Sequence, residues 1–339
     1  PAENCLRTSI GDISYDYLVI ATGSDTSYFG MENLRRNSMP MKSVREALDL
    51  RSCILQNFEM AVTTADLRER EALMNYVIVG GGPTGVELAG ALGELKRHVL
   101  PNDYPELDFR RMQIHLVDTG GRVLGSMDEK SSAKAAAFLK EMDVHLWLNM
   151  RVTDYDGRTV KTDKSESFYT ATLIWAAGVM GVSVPGIPAG AISPNGRLSV
   201  DEWNRVAGTE NIFALGDVAL MKAEASPKGH PQVAQVAIQQ ADLLGKNLAS
   251  GKAIDTWKKF RYNDRGSMAT IGRNRAVVEI KGIKSQGFFA WMIWMFIHLI
   301  SLVGFRNRIV VFFNWLINYF NYDRGMRLII RPFVNGKKS

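Results

Sequence analysis

The chain has 339 residues, of which 46% are hydrophobic and 22% charged. That is room for about two domains with a sizeable core, which excludes intrinsic disorder and a disulfide-stapled miniprotein. Its only cysteines, Cys5 and Cys53, form no CxxC and no Cys/His cluster, which excludes a structural zinc site or dithiol redox motif in these residues and points to a reducing compartment. The net charge of +6 conceals two regions of opposite sign. Residues 1–251 carry 25 basic and 31 acidic side chains, whereas residues 252–339 carry 16 and 4, interleaved with aromatics. A basic, aromatic tail suits an anionic surface, either nucleic acid or lipid, and its long apolar runs favour lipid over nucleic acid.

In chain order, the apolar run Tyr17–Ile20 ends in Ala21-Thr22-Gly23-Ser24, which predicts a buried strand and a turn where a ligand could sit. Residues 43–74 have helical spacing, with Val44, Ala47, Leu48, Ile54, Leu55, Phe58, Val62 and Leu67 facing inward. The strand Tyr76–Val79 follows, then the turn from Gly80 to Gly85 and a helix from Val86. Next come a strand at Gln113–Asp118, a helix near Asp128–Met142 and a strand at Val144–Trp147. A hairpin around Asp156-Gly157 precedes the strand Ala171–Trp175, which runs into Ala176-Ala177-Gly178. Strand, turn and helix recur at Asn211–Asp217 and Gln232–Leu248, with a hairpin near Met268–Ile280. Alternating strands and helices of this kind predict an α/β fold with parallel sheets.

Gly80, Gly82 and Gly85 form a GxGxxG between a strand and a helix, so a pyrophosphate can approach the backbone and meet the helix N-terminus. Asp118 closes the next strand, where a carboxylate accepts hydrogen bonds from a ribose 2′-hydroxyl and repels a 2′-phosphate; that favours NADH over NADPH. Asp118 lies further from the glycines than is usual for that role, and a solvated strand end is its plain alternative. Glu87 falls in the expected first helical turn. It is either a carboxylate stabilised by the helix dipole or a contact for the nicotinamide half of the dinucleotide.

Ala21-Thr22-Gly23, the Gly80–Glu87 run, Ala176-Ala177-Gly178 and Ala214-Leu215-Gly216-Asp217 occur in that order. Together they resemble the two-dinucleotide-binding flavoproteins, in which an FAD domain is interrupted by an NAD(P) domain. The run Ala234-Gln235-Val236-Ala237-Ile238-Gln239 is similar to the Ala-Gln-x-Ala-x-Gln signature of type II NADH:quinone oxidoreductases. That resemblance implies two Rossmann-like domains, a partial FAD domain at 1–42 and 181–251 and an NADH domain at 43–180, followed by C-terminal amphipathic membrane-associating helices within 252–339. It implies that Thr22, Gly23, Gly216, Asp217 and Ala234 serve FAD and that Gly80, Gly82, Gly85, Glu87, Asp118 and Gly178 orient NADH. Gln235 and Gln239, at i and i+4 on one helix face, would meet a quinone carbonyl, the alternative being two solvent-exposed amides. Lys228 and His230 either line the same cavity or sit on a surface loop. Such proteins also begin with a strand, GxGxxG turn and helix of their own. None precedes Tyr17, and no leader is visible, so an N-terminal piece is expected to be missing. Rival readings are a ferredoxin- or disulfide-reductase-like enzyme of the same superfamily, or a membrane-attached NADH-binding protein without turnover.

The tail separates these readings. Gly287–Phe305 is 19 residues without a formal charge, followed by the aromatic run Ile309–Phe320. A 19-residue helix of roughly 28 Å barely spans a bilayer core of about 30 Å. Scattered aromatics, the internal His298 and flanking Lys281, Lys284, Arg306, Arg308, Arg324, Arg327 and Arg331 instead predict paired interfacial helices over 285–331, on the cytoplasmic face of a bacterial inner membrane or on a mitochondrial inner membrane. A buried core hairpin is the alternative. Membrane quinone and lipid are the expected partners, nucleic acid is not, and homodimerisation is left open.

Overall fold

A computed structural model describes residues 4–224 and 226–320, together with Ile329 and Phe333. The chain divides into two compact units, one of residues 1–27 and 179–265, the other of residues 28–178 and 266–339.

The larger unit is built on a parallel sheet of β1 (Met39–Pro40), β2 (Tyr76–Val79), β3 (Ile114–Val117), β4 (Val144–Trp147) and β5 (Thr172–Trp175), in the spatial order β1-β5-β2-β3-β4. All four residues of β2, β3 and β5 are buried, as expected of central parallel strands covered on both faces. The pleat sends Tyr76 and Ile78 into one core cluster, with Ile114, Leu116 and Phe58, and sends Val77 and Val79 into another, with Leu173 and Trp175. The helix α1 (Val44–Thr63) starts at a capping box in which Ser43 and Glu46 satisfy each other's backbone N–H groups. It ends at Thr64, and Asp66 caps a separate helix, Leu67–Met74. The inward stripe is therefore Leu50, Cys53, Ile54, Phe58 and Ala61, while Val44, Leu48 and Leu67, expected inside, face solvent.

The helix α2 (Pro83–Glu94) follows the glycine turn, and α3 (Glu129–Glu141) packs behind β4, with Asp128 capping its start. Between α2 and β3 the chain makes a π-helical turn at Leu95–Val99, a short helix at Leu100–Asp103 and a 3-10 turn at Phe109–Arg111. These residues lengthen the gap between the glycines and Asp118 without separating them in space, because they loop out where β3 begins and not where it ends.

In the smaller unit, Leu18–Ile20 pairs in parallel with Ile212–Ala214, Leu198–Val200 pairs in parallel with Ala219–Met221, and Ser24–Thr26 pairs antiparallel with Val179–Gly181. Its helix α4 (Ala234–Ala249) buries Val236, Gln240, Leu244 and Asn247 along one stripe.

The strands Ser267–Thr270, Ala276–Ile280 and Ile283–Gln286 form an antiparallel meander in the larger unit, one strand more than the expected hairpin. Gly90 of α2 lets this meander approach closely: a Cβ there would lie 2.9 Å from the backbone of Ile271 and Gly272. The division therefore assigns the meander to the larger unit, at 265/266, where the sequence had placed a tail boundary after residue 251. The helices α5 (Phe288–Ser301) and α6 (Phe305–Phe320) follow, broken at Leu302–Gly304. Among the described residues, no helix is long and apolar enough to cross a membrane. The expected basic flank at Arg324, Arg327 and Arg331 lies outside the described residues.

Candidate functional site

From β2 the chain runs on to β3 and β4 on one side, while β5 is added on the other side of β2, so the C-terminal ends of β2 and β5 mark the topological switch point where open α/β sheets bind ligands. The glycine turn leaves β2 there and Ala176–Gly178 leaves β5. Gly80 has φ +116°, and a Cβ on it would lie 2.7 Å from the carbonyl oxygen of Ala176. A Cβ on Gly85 would lie 1.8 Å from the Gly80 oxygen, an overlap that only glycine avoids. Gly82 is different, since a Cβ there would meet nothing within 4 Å. It is the N-cap of α2 and no side chain caps the helix, so the turn presents backbone N–H groups to open space at a positive helix end. These features fit the pyrophosphate of a dinucleotide.

Asp118 stands beside this loop. Its carboxylate accepts from the N–H of Gly81 at 2.5 Å and of Gly120 at 2.6 Å. It thus fastens the glycine turn to the end of β3 and keeps further lone pairs for a ribose hydroxyl. Gly178, with φ +76°, is exposed on the neighbouring turn.

Glu87 does not occupy the first turn of its helix. Pro83 opens α2, which puts Glu87 a turn further along and weakens the helix-dipole reading. Its carboxylate accepts from the Thr270 N–H at 3.2 Å and borders a cavity of about 280 Å³ formed with Arg273, Trp291, Trp294, Trp315 and Tyr319. Burial raises its pKa, countered by the Thr270 hydrogen bond and by the nearby His298. Trp291 packs at a tilt on Tyr319 and Trp294 stacks on Trp315, so aromatic side chains of α5 and α6 wall the cavity. His298 stacks on Trp294 at 4.1 Å, and its Nδ1 lies 2.8 Å from the Trp294 carbonyl oxygen. A carbonyl only accepts, so Nδ1 carries a hydrogen. The sequence singled out Glu87 but not Thr270 or Arg273, which no motif marks.

In the smaller unit, Gly216 has φ +67°, and its N–H donates to Oε1 of the buried Gln240 at 2.8 Å. The Asp217 carboxylate accepts from the Ser24 hydroxyl at 2.6 Å, and the Thr22 hydroxyl donates to the Val182 carbonyl. Gly23, at φ +73°, accepts from the Val182 N–H. The two sequence-distant turns are thereby brought together. No side chain caps the start of α4 beside exposed Ala234. A positive-φ glycine, a carboxylate and an uncapped helix start in one place fit a second dinucleotide.

Gln235 and Gln239 lie on one face of α4, as their spacing predicts, and their amides hydrogen-bond within the fold. Gln239 donates through Nε2 to the Asn263 carbonyl at 2.9 Å and accepts from the Asn263 N–H at 3.0 Å, as a neighbouring strand would. Oε1 of Gln235 accepts from the Arg265 N–H at 3.0 Å. The extended 263–265 segment lies against this face, and its backbone engages the amides. His230 is likewise not on the surface. It is buried between the rings of Phe260 and Tyr262, and the buried Arg197 donates to its carbonyl oxygen. Lys228 is exposed. Burial raises the pKa of Cys53 to about 11, which leaves that thiol unreactive.

A glycine turn at a switch point, with a second Gly-Asp turn on a separate unit, defines the class of pyridine-nucleotide flavoproteins. In agreement, residues 4–241 match the family model described as pyridine nucleotide-disulphide oxidoreductase, and residues 265–322 match the NDH2 C-terminal domain. The chain is 37% identical over 333 residues to the type II NADH:quinone oxidoreductase NdhA of Mycobacterium tuberculosis, covering 94% of this chain and 70% of that protein. It is 31% identical over 327 residues to the mitochondrial internal alternative NAD(P)H-ubiquinone oxidoreductase A1 of Arabidopsis thaliana, covering 91% and 63%. The structure of NDH2 from Plasmodium falciparum in complex with NADH shares the fold, with a TM-score of 0.84 at 20% identity over 94% of this chain and 80% of that one. The chain belongs to the type II NADH:quinone oxidoreductases.

Proposed function

We propose that this protein oxidises NADH at the glycine turn of the larger unit and reduces a membrane quinone, with FAD held by the Thr22–Gly23 and Gly216–Asp217 turns. Bound FAD supplies a two-electron carrier that accepts a hydride and releases its electrons to a quinone. Gly80, Gly82 and Gly85 admit the NADH pyrophosphate to the start of α2, and Asp118 selects an unphosphorylated ribose, with Gly178 on the adjoining turn. Net turnover, NADH + quinone + H⁺ → NAD⁺ + quinol, takes up one proton. The Glu87 carboxyl, whose pKa burial raises at the rim of an aromatic cavity, is suited to hold that proton on its oxygen and to pass it to a quinone oxygen. Gln235 and Gln239 act as positioning residues by holding the 263–265 segment.

The tail supports delivery of this substrate from lipid. In α5 only Ala290 is buried, while Phe289 is 75% exposed, Phe296 63%, and Phe305 at the start of α6 76%. Such a patch with Arg306 and Arg308 at its break suits insertion at the headgroup boundary of an anionic membrane. We assign it to the cytoplasmic face of a bacterial inner membrane. The observation that carries the reading is the uncapped, Cβ-intolerant glycine turn at the switch point. The test is anaerobic addition of NADH to the flavin-loaded protein, followed by a short-chain quinone. Bleaching of the flavin and its recovery support the reading, and bleaching without recovery sinks the quinone step.

A further inference from the structure

The larger unit carries a second concavity, at the edge of the sheet opposite the glycine turn. The strands β3 and β4 are parallel and in register, Ile114 opposite Val144 where they start and Val117 opposite Trp147 where they end. The nucleotide turn leaves the ending edge. At the starting edge, a groove of about 660 Å³ is lined by Lys96, Arg97, Phe109, Arg110, Lys140 and His145, with Asp143 as its one carboxylate. Local structure builds it. The helix α2 passes into the π-helical turn Leu95–Val99, which carries Lys96 and Arg97 across the groove, and Asp143 takes φ +59° to reverse the chain from α3 into β4. π-Helical turns of this kind are rare and recur at functional sites.

The charges are not balanced. Lys96 and Arg97 share Asp143 at 3.8 Å and 3.7 Å, both beyond hydrogen-bond distance. Arg110 pairs with Asp108, and Lys140 makes no ion pair among the described residues. The Lys96 side chain is only 14% exposed, and burial lowers its pKa, partly offset by Asp143 at 3.8 Å. Backbone dipoles do not favour an anion here, since α3 points its negative C-terminus at the groove. Any anion must therefore be held by the side chains. Two ammonium groups, with the guanidinium N–H groups of Arg97 and Arg110 that remain beside their bonds to the Glu141 carbonyl and to Asp108, match the several oxygens of a phosphate group.

We propose that this groove binds a phosphate-bearing anion, either free in solution or as a lipid headgroup, at a site separate from the NADH pyrophosphate. The inference does not rest on the assigned reaction. It is tested on the flavin-loaded full-length protein by calorimetric titration with inorganic pyrophosphate under saturating NAD⁺, which fills the glycine turn. Co-sedimentation with phosphatidylcholine vesicles, with and without phosphatidylglycerol, forms the second arm. Lys140→Glu changes an exposed residue and keeps the fold testable, and Lys96→Gln is the stronger variant. Pyrophosphate affinity about tenfold weaker in Lys140→Glu, with NAD⁺ affinity unchanged, identifies a soluble ligand. Loss confined to binding of phosphatidylglycerol vesicles identifies a headgroup. Wild-type behaviour of both variants in both arms overturns the proposal.

Discussion

The two ligand turns solve the same problem with different materials. At Gly80–Gly85 the clashing neighbours are main chain: a Cβ on Gly85 would overlap the Gly80 carbonyl and one on Gly80 the Ala176 carbonyl. At Gly216 the neighbour is a side chain, Ala237 Cβ at 2.9 Å, and a buried glutamine, Gln240, holds the turn. A turn fixed by backbone contacts admits one sequence, whereas a turn fixed by side chains can be rebuilt with others. The first is therefore a readable motif, and the second is legible only beside its partners.

The largest expected effect breaks the first turn. Gly85→Ala should cost roughly 3 kcal/mol or more of stability, because neither carbonyl nor helix can move aside, and thermal unfolding measures it. Gly82→Ala sharpens the contrast: its Cβ enters open space, so the melting temperature should hold while NADH affinity falls about tenfold. Equal destabilisation by both would remove the distinction between a structural and a ligand-facing glycine. Glu87→Gln keeps an acceptor for Thr270 but cannot carry the proton, and should slow quinone reduction by about 100-fold in single-turnover experiments. Slower still to show would be the pH dependence of the larger unit's sheet. Burial, aided by His145, lowers the His115 pKa to about 4 from near 6.5. In that window the unfolded chain binds the extra proton, so stability should fall on the order of 3 kcal/mol as the pH drops from 6.5 to 4. His115→Phe should flatten this dependence in denaturant titrations. Gln239→Ala, which removes two hydrogen bonds to Asn263, should slow quinone reduction about fivefold and spare flavin reduction by NADH.

Legibility followed the reach of each interaction. The strands Tyr76–Val79 and Thr172–Trp175 were readable because strands buried on both faces are written as short continuous apolar runs, which are local. Asp118 was readable as a strand-end acid, but its hold on Gly81 depended on an excursion of the chain whose geometry no spacing reveals. The engaged amides of Gln235 and Gln239 were not readable, since helical periodicity sets the face of a side chain and not what lies against it. Nor was the place of Glu87, whose cavity is completed by Trp291 and Trp294 about 200 residues later, from helices that the sequence marked only as membrane-facing.

The most direct test of the account is anaerobic stopped-flow of wild type and Glu87→Gln, reading flavin bleaching by NADH and reoxidation by a short-chain quinone separately. The variant should bleach at close to the wild-type rate and be reoxidised far more slowly. A variant reoxidised as fast as wild type would contradict the assignment of the aromatic cavity and its carboxyl to quinone reduction.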